Sequence, residues 1–168
     1  MAKFSDTKAY FKALSEQNLA IAHVDGTSKK FFTMQIEEFL SSTRFKLPTP
    51  EEGPALVLIK YIRSINHKDR PMDERQIMFF VLQGIRTGDE ESVDLAEDNC
   101  EDVVDQILTR MSEDSKNGHS FFQHSFDKIN DVRIAPAYIN ANMKYIGWQV
   151  SLKSPLQFNC SYNSANWS

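Results

Sequence analysis

The chain has 168 residues, of which 41% are hydrophobic and 25% are charged, with a formal net charge of −4. This composition is ordinary for a soluble globular protein. The longest apolar runs, residues 55–59 and 77–82, are far too short to span a bilayer, and the first residues lack the apolar run of a signal peptide. We therefore expect a single domain over residues 1–168, with residues 155–168 as a polar tail, and no membrane partner.

The N-terminal region predicts one helix followed by a turn. Phe11 and Leu14 lie at helical spacing, and they predict a helix that begins near residue 5 and ends at about residue 22. Residues 23–27 then have turn chemistry, with a glycine suited to the left-handed conformation that ends helices. His23 lies in this turn, so we expect it at the surface.

Two short elements and a rigid loop follow the turn. Weak alternation in residues 31–36 predicts a short strand, and residues 37–45 predict a short helix. Residues 47–54 contain three prolines and a glycine, which exclude regular structure there. We expect this loop to lead directly into a strand.

The next part of the chain predicts a hairpin with a charged connector. Residues 55–65 and 76–85 each have an apolar centre, which predicts two paired strands in the interior of a sheet. The connector, residues 66–75, is too long for a tight turn. Its length and charge fit either a floppy loop or an arm that reaches a neighbouring molecule.

Basic side chains cluster on this hairpin. They are Lys60, Arg63, Lys68, Arg70 and Arg75. Few aromatic residues accompany them, and Asp69, Asp73 and Glu74 dilute the charge, so we expect no specific nucleic-acid binding.

The most strongly patterned stretch is residues 92–115, where apolar residues recur at intervals of three and four. This spacing predicts a long amphipathic helix with Ser92 as its N-cap. The apolar face comprises Val93, Ala96, Cys100, Val103, Ile107 and Met111. The opposite face carries the carboxylates of Asp94, Glu97, Asp98, Glu101, Asp102 and Asp105.

Charge is distributed very unevenly along the chain. Residues 89–105 contain nine Asp or Glu and no Lys or Arg, which leaves the remainder at +5. Such a face is either a solvated surface or one that repels nucleic acid, mimics it, or meets a basic partner. Composition does not choose between these interpretations.

After the long helix the hydrophobic period returns to two. Residues 122–127 predict a strand, and a second strand near Val132 and Ile134 is interrupted by Pro136, which indicates an edge or bulged strand. Residues 144–153 alternate most regularly and predict the best strand, which we expect to end at Ser154 and Pro155. These elements predict an α+β fold with a mainly antiparallel sheet, the acidic helix packed on one face, and an N-terminal helix.

No stretch carries the local signature of an active site. Glycine patterns for phosphate binding are absent, and the exposed carboxylate pairs of the long helix lack the burial that a general acid needs. His119 and His124 are expected on opposite faces of a strand, so a metal site would need Asp127 or a distant ligand. Cys100 and Cys160 lack a neighbouring base and are expected to be free thiols in a reducing cytoplasm. We therefore expect a protein that is not an enzyme and uses no cofactor or metal.

Three stretches in this order resemble one family. They are residues 54–58 at the start of the hairpin, the helix over residues 93–111, and the closing strand over residues 145–152. Together with the N-terminal helix, this layout resembles phage tail-terminator proteins and the related head–tail joining proteins. The resemblance implies a small α+β domain that forms a ring, expected to be a hexamer, which ends the tail tube and joins it to the neck.

The resemblance also implies where the subunit would act. The protein would be located in a virion or a cytoplasmic assembly particle, and the same part could serve a contractile injection apparatus. The residues expected at subunit interfaces are Lys68, Arg70, Arg75, Tyr162 and Trp167. The acidic surface of Glu97, Asp98, Glu101, Asp102 and Asp105 would face the lumen, where like charge lets DNA pass without sticking.

A second hypothesis keeps the protein monomeric. The chain would then be a small acidic interaction module that mimics nucleic-acid charge and inhibits a nucleic-acid-binding protein. Deleting residues 162–168 should break rings under the first hypothesis and change little under the second. Neutralising Glu97, Glu101 and Asp105 should have the reverse effect.

Overall fold

The computed structural model of the chain describes residues 4–41, 48–66, 72–86, 88–125, 130–139 and 144–157. Within these ranges the helices are α1 (Phe4–Gln17), α2 (Ile36–Ser41), α3 (Glu90–Lys116) and α4 (Ser120–Ser125), with a 3-10 turn at Pro50–Glu52. The strands are β1 (Phe31–Met34), β2 (Ala55–Asn66), β3 (Met72–Gly84), β4 (Asn130–Ile139) and β5 (Tyr145–Gln157).

The five strands form one mixed sheet in the order β1-β2-β3-β5-β4. β1 runs parallel to β2, whereas the β2–β3, β3–β5 and β4–β5 pairs are antiparallel. Parallel neighbours need a crossover connection, and the segment that contains α2 supplies it. The α+β class, the long helix and the N-terminal helix are confirmed, and the sheet is mixed because of its first strand.

Both faces of the central strands are buried, which explains their continuous apolar sequence. On one face, β3 contributes Phe79 and Val81 to a core shared with α1, α3 and α4. On the other face, Phe80 and Leu82 belong to a second core that includes Phe39 of α2. The sheet is therefore the middle layer between two sets of covering segments.

The long helix is confirmed and extends slightly beyond the predicted range. Its N-cap is Asp89, whose Oδ1 accepts a hydrogen bond from the Ser92 N–H at 3.2 Å. The prediction of Ser92 as N-cap is wrong, because the Ser92 hydroxyl instead accepts from the Arg86 N–H at 3.1 Å. The buried face comprises Ala96, Cys100, Val103, Val104, Ile107 and Met111, which pack toward β3 and β5.

The first helix is shorter than its apolar pattern predicts, because it ends at Gln17. Asn18 follows directly, and its side-chain Oδ1 accepts from the N–H groups of Ala20 and Ile21 at 3.0 and 3.1 Å. This local capping offers the backbone an alternative to continuing the helix. Ile21 is still buried in the core, although it lies beyond the helix.

The strand predicted at residues 122–127 is wrong, because residues 120–125 form α4. Phe121 and Phe122 are adjacent in sequence, yet both are buried. Both contact Tyr10, with Phe121 stacked at a centroid distance of 4.2 Å and Phe122 edge-on at 5.7 Å. A short helix against α1 lets both rings contact Tyr10, whereas a strand would have placed them on opposite faces.

The hairpin strands and the last strand are longer than predicted. Asn66 belongs to β2 and residues 72–75 to β3, so the expected ten-residue connector is reduced to residues 67–71, which lie outside the described part. β5 does not end at Ser154 and Pro155 but continues to Gln157, paired with the extended β3. Pairing with the long strand β3 thus keeps β5 extended past Pro155, where the sequence predicted its end.

β4 is an edge strand, as Pro136 indicated. Its register shifts between Asn130 and Arg133, so the alternative of a bulged strand is also confirmed. Four of the predicted subunit-contact residues lie outside the described residues and stay predictions. They are Lys68, Arg70, Tyr162 and Trp167. The possible metal ligand Asp127 also lies outside the described residues.

Candidate interaction surfaces

The carboxylates of α3 form two groups with different environments. Asp98, Glu101, Asp102 and Asp105 are exposed, and within the described part of the chain none of them has an ion pair. We call these four the carboxylate face. Acidic side chains four residues apart on a helix repel one another, so the pairs on this face do not stabilise the helix.

Glu97 differs from its neighbours because it is attached to the sheet. Its side-chain Oε1 accepts from the Tyr138 hydroxyl at 3.1 Å, and its backbone carbonyl accepts from the Trp148 Nε1–H at 3.2 Å. The hydrogen bond to Glu97 raises the pKa of Tyr138. Glu97 therefore marks the flank of α3 that faces β4.

An apolar row lies along β4 beside this flank. Its members are Val132, Ile134, Pro136 and Tyr138, all exposed, and we call them the β4 apolar row. The exposed fractions are 39%, 46% and 54% for Val132, Ile134 and Tyr138. Because α3 packs on β3 and β5, the edge strand beside it keeps its large apolar side chains in contact with solvent.

The sequence contained a signal for this row but not its exposure. Alternation at Val132 and Ile134 indicated a strand, and Pro136 indicated an edge. Whether an apolar strand position is buried depends on what covers it, and that is decided by where the helices pack.

Of the contact residues predicted on the hairpin, Arg75 lies in the described part of the chain. It lies within β3, where it pairs with Arg63 of β2 and Ser154 of β5. The two arginines thus occupy directly opposite backbone positions in the β2–β3 ladder. The prediction that Arg75 lies in a connecting loop is wrong.

The opposite edge of the sheet, at β1, borders a groove of about 780 Å³. All four residues of β1 line it, together with Lys8 and Lys12 of α1 and Lys29. Lys8 and Lys29 have no carboxylate partner within the described residues, and the Lys29 ammonium lies 5.2 Å from the centroid of the Phe32 ring. We call this the β1 groove.

At one end of the β1 groove is a polar cluster built on His23. The prediction that His23 is a surface residue is wrong, because only 4% of it is exposed. Its Nδ1 lies 3.1 Å from both the Lys30 backbone nitrogen and the Ser28 carbonyl oxygen, and its Nε2 lies 3.0 Å from Asp25 Oδ1. The Lys12 ammonium bonds the same carboxylate, which lowers the pKa of Asp25.

Glu16, His23 and Asp25 bring three metal-ligating groups within 4.8 Å of one another. The Lys12 ammonium already lies among them, bonded to Asp25 and 3.5 Å from Glu16 Oε1. A metal ion would have to displace that ammonium and remove the Nε2 proton. Lys12 and His23 already pair with the two carboxylates, so the cluster forms an ion-pair network without a metal ion.

Two buried reactive side chains are held in their protonated forms. Burial raises the pKa of the Cys100 thiol to about 12, which leaves it without nucleophilic thiolate at neutral pH. Burial, with the hydrogen bond to Asp114 at 2.9 Å, also raises the pKa of Tyr10. Asp114 accepts from Arg110 Nε as well, so this network joins α1 to α3.

No protein-family model matches the chain, and no curated protein is significantly similar to it. Among the described residues, no helix has the length and apolar character needed to cross a membrane.

Proposed function

We propose that the protein is a structural subunit that assembles with copies of itself into a ring on a phage tail or a related contractile injection apparatus. The ring would end the tail tube and join it to the neck. The observation that carries this proposal is the β4 apolar row, a row of exposed apolar side chains on the strand that ends the sheet in the described part of the chain. An exposed strand edge is a template for pairing with another chain, and exposed apolar patches mark interaction sites.

The order of elements supports the same proposal. A helix, a proline-containing segment, a long hairpin, a long helix and closing strands follow one another in the chain. This is the layout in which the sequence resembles tail-terminator proteins. We extend the proposal to a hexameric ring in a virion or assembly particle, with tail-tube and neck proteins as partners.

The carboxylate face has a defined part in this proposal. A ring through which DNA passes needs a wall that does not retain phosphates, and unpaired carboxylates such as Asp102 and Asp105 repel them. We propose no catalytic role, because the buried groups Cys100, Tyr10 and His23 are engaged in packing and internal hydrogen bonds.

The test is the native mass of the full chain by light scattering over a concentration series, with negative-stain microscopy of the same samples. We expect closed particles of about six subunits of 19.3 kDa each. A chain that remains monomeric at every concentration would contradict self-assembly and would favour the acidic-module hypothesis.

That second function is favoured by one observation, the lack of any described ion pair on the carboxylate face. The two functions separate in a variant carrying D98N, D102N and D105N. Glu97 stays unchanged because it is attached to Tyr138. Ring formation should survive in this variant, whereas inhibition of a nucleic-acid-binding protein should be lost. Deletion of residues 162–168 provides the matched comparison, since it should disrupt rings and leave an acidic mimic active.

A further inference from the structure

The sheet has two open edges, and they differ in chemistry. In the described part of the chain, no strand lies beyond β1 on one side or beyond β4 on the other. We infer that these edges are the two halves of one head-to-tail interface, in which β4 of one copy lies along β1 of the next copy. This inference rests on the proposed self-assembly and specifies its contact.

The β1 side offers a receptor for an added strand. An open strand edge presents unpaired backbone N–H and C=O groups, and an extended segment can bind by completing that ladder. The β1 groove of about 780 Å³ gives such a segment a place along the edge, because Phe31, Phe32, Thr33 and Met34 all line it.

The β4 side offers a segment long enough to cover β1. Pro136 has no N–H, so it interrupts donors along the outer edge of β4. β4 begins at Asn130, so six residues precede Pro136, whereas β1 has four. Val132 and Ile134 are exposed in this segment, and covering them removes apolar surface from water.

Charge supports this pairing of unlike edges. Glu97 lies beside β4, and Glu101 follows one turn later on the same flank of α3. The β1 groove instead presents the ammonium groups of Lys8 and Lys29.

The groove also contains two carboxylates, Glu38 and Asp25. Asp25 is neutralised by Lys12, which leaves two free cations against one free carboxylate. Opposite charges along the two rims would favour this docking and its register.

The same charges disfavour the symmetric alternative. If β4 paired with β4 of a second copy, Glu97 and Glu101 would meet their own equivalents across the contact. A β4-to-β1 contact avoids this and uses two different surfaces, so each copy can bind one neighbour on each side. Such a heterologous contact produces a ring when the rotation closes.

The experiment is disulfide trapping between two populations of the full chain, both carrying C160S. Cys100 can remain, because it is buried and its pKa is raised to about 12. One population carries T33C and an affinity tag. The other carries one of R133C, I134C and A135C, so that one of the three matches the register.

We expect a mixed disulfide dimer from one of these combinations under mild oxidation, and none from either population alone. A chain carrying both T33C and the matching β4 cysteine should give a covalent ladder of oligomers. Circular dichroism of each variant confirms that it is folded before trapping.

Two results would overturn the interface while leaving the proposed function intact. Rings could form by light scattering with no mixed disulfide in any combination, which would place the contact elsewhere. Alternatively, a β4 cysteine could cross-link with itself, which would indicate a symmetric β4 contact. A strictly monomeric chain would overturn both the interface and the proposed function.

A charge exchange gives an independent measurement that needs no oxidation. K8E and E101K should each raise the concentration at which rings dissociate by about tenfold. The double variant should recover most of that loss, since it restores opposite charges across the contact. K116E, which makes the same charge change at the end of α3, is the control and should leave assembly unchanged. Equal effects of K8E and K116E would contradict the inference.

Discussion

The two faces of α3 are made by the same helix and contribute to the protein in opposite ways. One face places Cys100, Val103 and Ile107 in the core, where they are almost completely buried. The opposite face places Glu101 and Asp105 in solvent with no described partner. The comparison shows that the stability of the helix comes from one side, which leaves the other side available for a role outside the fold.

The largest effect should follow from filling the contact between α3 and β5. A Cβ on Gly147 would lie 2.1 Å from the Val81 carbonyl oxygen and 3.1 Å from Cys100 Sγ. G147V should therefore cost more than about 4 kcal/mol and prevent folding at ambient temperature. Urea denaturation measures this. G88A is the control, because Gly88 also has a positive φ but a Cβ there would meet nothing within 4 Å. Equal midpoints for the two variants would contradict the packing.

The next effect comes from truncating the buried face itself. I107A should lower the free energy of unfolding by about 2–5 kcal/mol, because it leaves a cavity against the sheet. L95A removes a similar apolar group from the same helix, but Leu95 is 58% exposed. Its effect should stay within about 0.5 kcal/mol. Similar losses in chemical denaturation would show that burial on α3 is assigned to the wrong face.

Two tyrosine–carboxylate hydrogen bonds extend the comparison to polar groups. Y10F removes the buried bond to Asp114 and should cost about 1–3 kcal/mol. Y138F removes the exposed bond to Glu97 and should change stability by less than about 0.5 kcal/mol. Thermal denaturation of both variants tests this difference, and a larger loss from Y138F would contradict it.

Burial of the Cys100 thiol should make the free energy of unfolding depend on pH in the alkaline range and not at neutral pH. Burial raises the pKa of Cys100 from its usual value of 9.0 to about 12. Between these values the folded chain keeps a proton that the unfolded chain has lost, so stability should fall as pH rises above about 9. Unfolding of C160S, measured at a series of pH values, should show this decline. In the double variant C160S/C100A, the part of the decline that comes from the Cys100 thiol should be absent. Rapid alkylation of native C160S at neutral pH would contradict the burial.

The smallest effect is expected on the carboxylate face. The variant with D98N, D102N and D105N removes repulsion between side chains one turn apart. Its free energy of unfolding should change by less than about 1 kcal/mol, in the stabilising direction. A large loss of stability in urea would mean that these side chains support the fold after all.

Most of the long elements could be predicted from sequence because their signals are local. The spacing of Val103, Ile107 and Met111 defines one face of a helix wherever that helix packs. The alternation around Val150 and the doubly apolar centre around Phe79 similarly define strands. The same periodicity identified the carboxylate face, since the residues opposite an apolar stripe must be those that remain in water.

The short elements could not be predicted in this way because distant residues select their conformation. Residues 120–125 form a helix where Phe121 and Phe122 can both reach Tyr10, more than a hundred positions away in sequence. Asp89, and not Ser92, caps α3, and either residue type can perform that role.

Sequence by itself determined the α+β class and which side of the long helix is buried, because helical and strand periodicities are properties of neighbouring residues. Only the tertiary structure decided that β1 is parallel to β2 and that β5 lies between β3 and β4. It also decided that Val132 and Ile134 remain exposed while His23 is buried. Pairing order and exposure depend on which segments meet in space, and a linear pattern does not contain that information.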